Sequence, residues 1–300
     1  MQSTKNLQRR INSIENLTQM TKAIETVSAV KFRHAVKSLQ ASRPYAEKAW
    51  KVLMHLARQP GHESLHPLLL ERETIKNALV ILVSADTGLV GAFNNQIVQY
   101  TLDYFKHHSY TIQFIALGLK GKIVLNKYHQ EIIADYSFLP DPPSFSDILP
   151  ISRMVIDRYS KEEADRIFIA YTRYVNKFSQ VPIIRKLLPL ETAKADDPAD
   201  LFNVTHPTHQ VFNFEPEGQE ILDFIIQRFT AIQIQEAILE SLASEHSSRM
   251  MTMHNASENG KELYKKYELN YHRIRQKGIT DDLLDIINGS SAVSNLTENE

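Results

Sequence analysis

The residues best placed to do chemistry lie in Ser84–Asn95, SADTGLVGAFNN, which follows the apolar run NALVILVSAD and precedes a run with helical spacing. Such a strand-to-helix junction is where α/β proteins hold phosphates, because turn N–H groups and the positive end of the helix dipole converge there. The glycines are Gly88 and Gly91, which complete neither GxGxxG nor a Walker A loop with its lysine. The expectation is therefore a tight turn in which Gly88 and Gly91 take unusual dihedrals and Asn94 caps the following helix. Histidine is plentiful, but His107–His108, His206/His209 and His246/His254 give no HExxH or cysteine-assisted metal set. GxSxG is absent, which removes the usual α/β serine nucleophile. The chain has no cysteine, so disulfides, thiolate metal sites and Cys nucleophiles are excluded. From these residues we expect no catalytic group, no cofactor and no bound metal.

A second stretch poses a different question. Ser241–Gly260, SLASEHSSRMMTMHNASENG, is rich in Ser, Ala and Asn, and its only large apolar residues after Leu242 are Met250, Met251 and Met253. It carries too little apolar surface for an ordinary core, yet its flanks are strongly helical. The methionines are either core fillers or a soft sliding contact.

The elements that must position these residues are marked by proline. All twelve prolines fall between Pro44 and Pro216, and the first glycine is Gly61. Residues 1–59 can thus run as one helix, with a bend possible at Arg43–Pro44. Leu7, Ile11, Ile14, Leu17, Ile24 and Val27 recur at three- and four-residue steps as a narrow apolar stripe. A second helix is signalled by Pro216 at its first turn with Glu217 and Glu220 near its positive end. Steps of three and four from Ile225 reach Phe229, Ile232, Leu239, Met250, Met253, Tyr264, Tyr267, Tyr271 and Ile274. Glu236, Ala243, His246, Ser257 and Gly260 fill the remaining seam positions, as in a two-stranded coiled coil with degraded chemistry in its middle. Continued to Ile287, this helix would span roughly 100 Å, more than a domain of this size is wide, so it is expected to project from the globule.

Between the two ends, strands and helices alternate. NALVILVSAD, YTIQFIALG, DRIFIAYTRYVN and VPIIRKLLPLE read as strands. NNQIVQYTLDYFKHH and LKGKIVLNKY read as helices, and PDPPSFSDILP, AKADDPAD and NVTHPTHQ as loops. This order predicts a mostly parallel, Rossmann-like sheet. The expected division is a coiled-coil helix over 1–59, an α/β domain over 75–212, a second coiled-coil helix over 213–288 and a flexible tail over 289–300.

Over 300 residues the net charge is −1, with 43% hydrophobic and 23% charged residues, which argues against a nucleic-acid binder. The average hides an asymmetry. Met1–Arg43 holds eight basic residues against Glu15 and Glu25, whereas Glu217–Glu300 holds eight basic against fourteen acidic ones. Two ends of opposite charge can attract each other. No window reaches the ~18–20 apolar residues of a membrane span, and the N-terminus has no signal-peptide core.

Taken together, two ends and one loop resemble the gamma subunit of F-type ATP synthases, in a divergent branch. The carriers are RRINSIENLTQMTKAIETVSAVKFRHA and RPYAE near the start, and LESLASEHSSRMMTMHNASENGKEL and YHRIRQKGITDDLLDIINGSSAV near the end. SADTGLVGAFN and FSQVPIIRKLLPLE lie between them in the expected order. The resemblance implies a long antiparallel pair of N- and C-terminal helices forming a left-handed coiled coil, plus a Rossmann-like α/β domain. It further implies a central rotor stalk that couples ion flow through the membrane ring to rotational ATP synthesis or hydrolysis. The implied partners are the alpha and beta subunits, the epsilon subunit and the ring of c subunits; nucleic acid and homo-oligomers are not among them. The place implied is the cytoplasmic face of the bacterial cell membrane, reached through partners.

By that resemblance, Thr21, Lys22, Ile24 and Glu25, then Arg249 and Met250, then Arg275, Gln276 and Thr280, lie where the shaft meets the beta subunits. A small, polar, Met-bearing middle would let such a shaft exchange contacts with three beta subunits in turn. Departures from the family pattern are Glu25, where a base is usual, and Thr87, Val90 and Ala92 in the loop. Two other readings remain open at this point: an α/β nucleotide-binding enzyme with coiled-coil appendages, and a scaffold coiled-coil protein.

Overall fold

The computed structural model describes residues 4–57, 68, 71–72, 74–177, 179–190 and 218–297. Helix α1 spans Thr4–Ala57 and continues through Pro44. There follow β1 Asn77–Val83, α2 Phe93–Phe105, β2 Thr111–Leu117, α3 Leu119–Lys127, β3 Ile132–Tyr136, α4 Phe145–Ser160, β4 Arg166–Asn176 and β5 Ser179–Leu188. The last helix, α5, spans Gly218–Thr297 and so continues beyond residue 288. The expected loops AKADDPAD and NVTHPTHQ and the helix-start signal at Pro216 lie outside the described residues. The chain divides into two compact units, one of Ser28–Met251 and one of Met1–Val27 with Thr252–Glu300. The division falls inside both long helices.

In the Ser28–Met251 unit, five strands lie in the order β3-β2-β1-β4-β5. β1 pairs in parallel with β2 and β4, β2 in parallel with β3, and β4 antiparallel with β5. The expected mostly parallel sheet is therefore present. The six residues of β1 after Asn77 are all buried, as a central parallel strand covered on both faces must be. Leu79, Ile81 and Val83 point into one core with α4, α5 and part of α1, whereas Ala78, Val80 and Leu82 point into another under α2 and α3.

Two elements escaped the sequence reading. PDPPSFSDILP is not wholly a loop: α4 starts inside it, its first turn closed by a reciprocal cap between Ser144 and Asp147. β3 is short and only half-buried, so it lacks the apolar run that marks the other strands.

In the other unit, α1 and α5 run antiparallel. Arg10 reaches Tyr267, Thr18 faces Gly260 and Glu25 reaches His254, a pairing in which one number rises as the other falls. On α1 the buried and half-buried positions include Leu7, Ile11, Ile14, Thr18, Thr21 and Glu25. On α5 they include Met253, Ser257, Gly260, Tyr264, Tyr267, Tyr271 and Ile274. Both sets step strictly by four and three, the heptad seam of a coiled coil.

The expected α1 stripe needs correction at two places. Leu17 is 59% exposed and Val27 is 56% exposed. Apolar character pointed to Leu17, but the heptad phase set by Leu7, Ile11 and Ile14 puts Thr18 in the seam. The reason is on the facing helix. A Cβ at Gly260 would lie 2.3 Å from Thr18 Oγ1, so here the helices approach too closely for a leucine.

Candidate functional site

The residues singled out from the sequence fall in two places. Thr21, Lys22, Ile24, Glu25, Arg275, Gln276 and Thr280 belong to the unit of Met1–Val27 and Thr252–Glu300, and Arg249 and Met250 to the other.

In the paired-helix unit, Thr21 is half-buried and its hydroxyl donates to the Thr18 carbonyl at 2.9 Å. Ile24 is half-buried beside it. Lys22 is exposed, and its Nζ donates to both oxygens of Glu25 at 3.0 Å. Glu25 also lies 3.3 Å from His254 Nδ1 on α5. Burial pushes the Glu25 carboxyl up, but the hydrogen bonds and charges of Lys22 and His254 outweigh it and hold it below the usual carboxylate range. Glu25 is thus a seam residue that bridges the two helices. Arg275, Gln276 and Thr280 are exposed on α5, and the Thr280 hydroxyl donates to the Gln276 carbonyl.

Arg249 sits differently. Only 8% exposed, it donates from Nη2 to Glu245 Oε1 at 2.7 Å and to Thr87 Oγ1 at 2.8 Å, and from Nε to the Gly88 carbonyl at 3.3 Å. The neighbouring Ser248 hydroxyl donates to the Val90 carbonyl at 2.8 Å. The Arg249 guanidinium, expected at a partner surface, is thus occupied by its own chain's 84–92 loop. Met250 is half-buried.

The small polar residues of 241–249 are interior as well. Ser244 donates to the Thr172 carbonyl on β4, and Ser247 to the Lys177 carbonyl in the β4–β5 turn. Ser241, Ala243, Ser244, His246 and Ser247 are all buried. The expectation of a soft outer surface over this stretch is overturned: its side chains are small because strand ends and a loop press against the helix there. Each buried hydroxyl named here as a donor has a carbonyl partner, which burial of a polar group requires.

The loop after β1 is also built differently from the expectation. Gly91 has φ +60°, but its companion in the left-handed region is Leu89 at +63°, not Gly88. Asn94 does not cap α2; its Oδ1 accepts from the Ala85 N–H at 2.9 Å and closes the loop on itself. Asp86 accepts from the N–H groups of Leu119 and Phe138. A close-packed element that the sequence reading passed over is Gly118-x-x-Gly121. A Cβ at Gly118 would fall 2.1 Å from the Ser84 carbonyl oxygen, and one at Gly121 2.4 Å from Ser84 Oγ. The glycine pair at the end of an apolar strand was the available signal.

At the carboxyl ends of β1, β2 and β3 lies a cavity of about 240 Å³, lined by residues that include Ser84, Asp86, Gly118, Tyr136, Asp141 and Arg249. Its charged side chains are already paired. Asp141 takes Lys31 at 2.9 Å and His246 at 3.1 Å. Burial raises the Asp141 carboxyl, yet these two partners prevail and hold it at about 2. No sequence signal links Asp141 to His246 across so long a separation. The loop turns carbonyls of Thr87, Gly88 and Val90 toward the donors of α5. A phosphate cradle needs the reverse polarity, convergent N–H groups. The loop works as a clasp on α5. Among the described residues no cluster of three or more His, Asp or Glu could hold a metal ion.

Comparison with known proteins gives a consistent answer along the chain. A family model described as ATP synthase matches residues 3–293. A protein of Dehalococcoides mccartyi described as ATP synthase gamma chain is 35% identical over 96% of this chain and 98% of its own length. One of Paraburkholderia phymatum with the same description is 33% identical over 98% and 100%. Among solved structures, a chain from the Euglena gracilis mitochondrial ATP synthase, OSCP/F1/c-ring, aligns over 97% of this chain with a TM-score of 0.66 at 18% identity. A chain from the central stalk/c-ring structure of the Tetrahymena thermophila enzyme covers 79% with a TM-score of 0.59 at 24% identity. At these identities the structures establish a shared fold.

Proposed function

Since the chain belongs to the ATP synthase gamma-chain family, we propose that it is the central rotor stalk of an F-type ATP synthase, turned by ion flow through a membrane ring and driving ATP synthesis or hydrolysis elsewhere in the complex. The observation that carries this reading is collinearity: relatives described as gamma chains match it over nearly their whole length. The antiparallel heptad seam supports it, because a stalk must keep two helices in register under torque. The loop polarity counts against the nucleotide-binding alternative, and Gly260, Ser257 and Glu25 in the seam count against a scaffold coil built for stability alone.

In this reading the chain makes and breaks no bond itself. Its partners are the alpha and beta subunits, an epsilon subunit and a ring of c subunits, and it reaches the cytoplasmic face of the bacterial membrane only through them. No described helix is long and apolar enough to cross a membrane. The mechanism follows from symmetry. A single asymmetric pair of helices cannot offer the same face to three equivalent beta subunits at once, so each holds a different contact set and a different nucleotide affinity. Rotation exchanges those states, which is coupling free energy between distant sites.

For the contacts themselves, we propose the exposed residues Lys22, Arg275, Gln276 and Thr280, with Thr21, Ile24 and Glu25 setting the helix pair that presents Lys22. Arg249, and Met250 beside it, act through the loop clasp.

Co-purification tests the assignment. Tagged chain co-expressed with its host's synthase subunits should bring down alpha and beta together with ATPase activity. Recovery of the folded chain without them would end the rotor reading.

A further inference from the structure

Inside the Ser28–Met251 unit, α5 carries two glutamates one turn apart, Glu236 and Glu240, each only 4% exposed. They lie on a helix stretch from which Ile234, Ala237 and Ile238 enter the main apolar core. Glu240 Oε2 is buried with no hydrogen-bond partner. A buried carboxylate normally has its oxygens satisfied, and an orphaned oxygen is costly when charged. A carboxyl that carries a proton removes that cost.

We propose that Glu236 and Glu240 form a proton-binding site, a buried carboxyl pair that keeps a proton in the folded chain, and that losing it weakens the seating of α5 against β4 and β5.

The surroundings are set by three neighbouring elements. β5 supplies Arg185, β4 supplies Tyr171 and Arg173, and α1 supplies Arg43 and Glu47. Arg185 is the cation that acts most strongly on both carboxyls, and it is already engaged: its Nη2 donates to Tyr171 Oη at 2.8 Å, and its guanidinium lies over the Tyr171 ring. Arg43 pulls the same way on both acids, and Arg173 and a hydrogen bond from the Tyr171 hydroxyl do so on Glu240, but burial outweighs them all. Burial pushes both acids up, ahead of the opposing pull of Arg185, and takes Glu236 to about 7, with the Glu240 charge adding to the rise. The step is a simple ionisation, in which the carboxyl O–H breaks, the electron pair stays on oxygen and the proton goes to solvent.

The sign follows from linkage. An acid whose folded pKa is raised binds more protons folded than unfolded between the two pKa values. Its contribution is therefore greatest at low pH, falls as pH rises through the folded value, and levels off above it.

The test uses the purified full-length chain, with Glu236→Gln and Glu240→Gln beside it, and reads two quantities. Urea midpoints from about pH 5 to about pH 8 should fall in the wild type, and that fall should be shallower in Glu236→Gln, whose amide mimics the protonated form. Infrared spectra near pH 6 should show a protonated carboxyl band in the wild type that weakens in each variant. Parallel pH curves for wild type and Glu236→Gln would overturn the proposal. So would a wild-type spectrum with no protonated carboxyl, which is decisive even if a variant fails to fold. The site stands apart from the rotor reading, because it is read on the isolated chain and needs no partner.

Discussion

Helix α5 uses one vocabulary for two purposes, and the contrast between its residues 236–249 and 253–274 shows why. Both stretches are poor in large aliphatic side chains. In the first, almost every position is buried, and Ser244, Ser247, Glu245 and Arg249 are tied to a strand, a turn, a loop and one another. In the second, fewer than half of the positions are covered, and those in the seam are Met253, Ser257, Gly260, a run of tyrosines and Ile274, facing a single helix. Small size in the first stretch makes room for a sheet edge; small size in the second lets two helix axes approach. A sequence pattern of small polar residues does not distinguish these cases, because both need the absence of bulk.

The largest effect should come from the enclosed stretch. Arg249→Ala leaves the Glu245 carboxylate buried without its partner, which costs about 3 kcal/mol or more. Urea unfolding of the isolated chain measures it. Pairing the change with Glu245→Gln should return a large part of the loss, since no unpaired charge then remains. Equal instability in the single and double variants would mean that packing, not charge, dominates there.

That expectation could not have come from the sequence, and the reason is physical. The parallel sheet was legible because β1 must be apolar on both faces, and the paired helices were legible because nothing breaks them outside Pro44–Pro216. α4 was hidden because a proline-rich approach masks its Ser144–Asp147 cap, and Pro150 lies inside it. The placement of Arg249 was hidden because a charged residue in a helix is ordinarily solvated. Only the long-range approach of Thr87 and Gly88, more than 150 residues earlier, makes it interior. At Leu17 apolarity and heptad phase point to neighbouring residues, and phase decides: Leu17 is exposed and Thr18 lies in the seam.

A second experiment sharpens the paired-helix side of the comparison. Gly260→Ala adds a Cβ at 2.3 Å from Thr18 Oγ1 and should cost about 1–3 kcal/mol, although alanine alone would favour the helix by ~1 kcal/mol. In a Thr18→Ala background the nearest remaining atom is the residue-18 Cβ at 3.3 Å, so most of the obstruction is removed and the same substitution should cost far less. Thermal unfolding of the four combinations gives the coupling, and additivity would show that the helices do not meet closely there.

The Glu25–His254 bridge should matter less. It is partly solvent-facing, and a double-mutant cycle with Glu25→Gln and His254→Gln should return a coupling of about 0.2–1 kcal/mol that shrinks in salt. Because the folded Glu25 carboxyl is held below its ordinary range, its stabilisation is fully present above the unfolded pKa and is lost as pH falls through the folded value. Glu25→Gln should therefore flatten part of the acid limb of stability and leave the alkaline side unchanged.

The smallest expected change is the most discriminating for the phase of the helix pair. Leu17 is the kind of residue that a hydrophobic stripe would place in the seam, whereas Leu7, fully buried, occupies it. Leu17→Ser should stay within about 0.5 kcal/mol of the wild-type chain, as changes away from packed positions do. Leu7→Ser should lose about 2–5 kcal/mol. The two substitutions are chemically identical and ten residues apart on one helix, so propensity cancels and only the phase remains. A large loss at Leu17 would move the seam by one residue, put Thr18 outside it, and remove the close approach that explains Gly260.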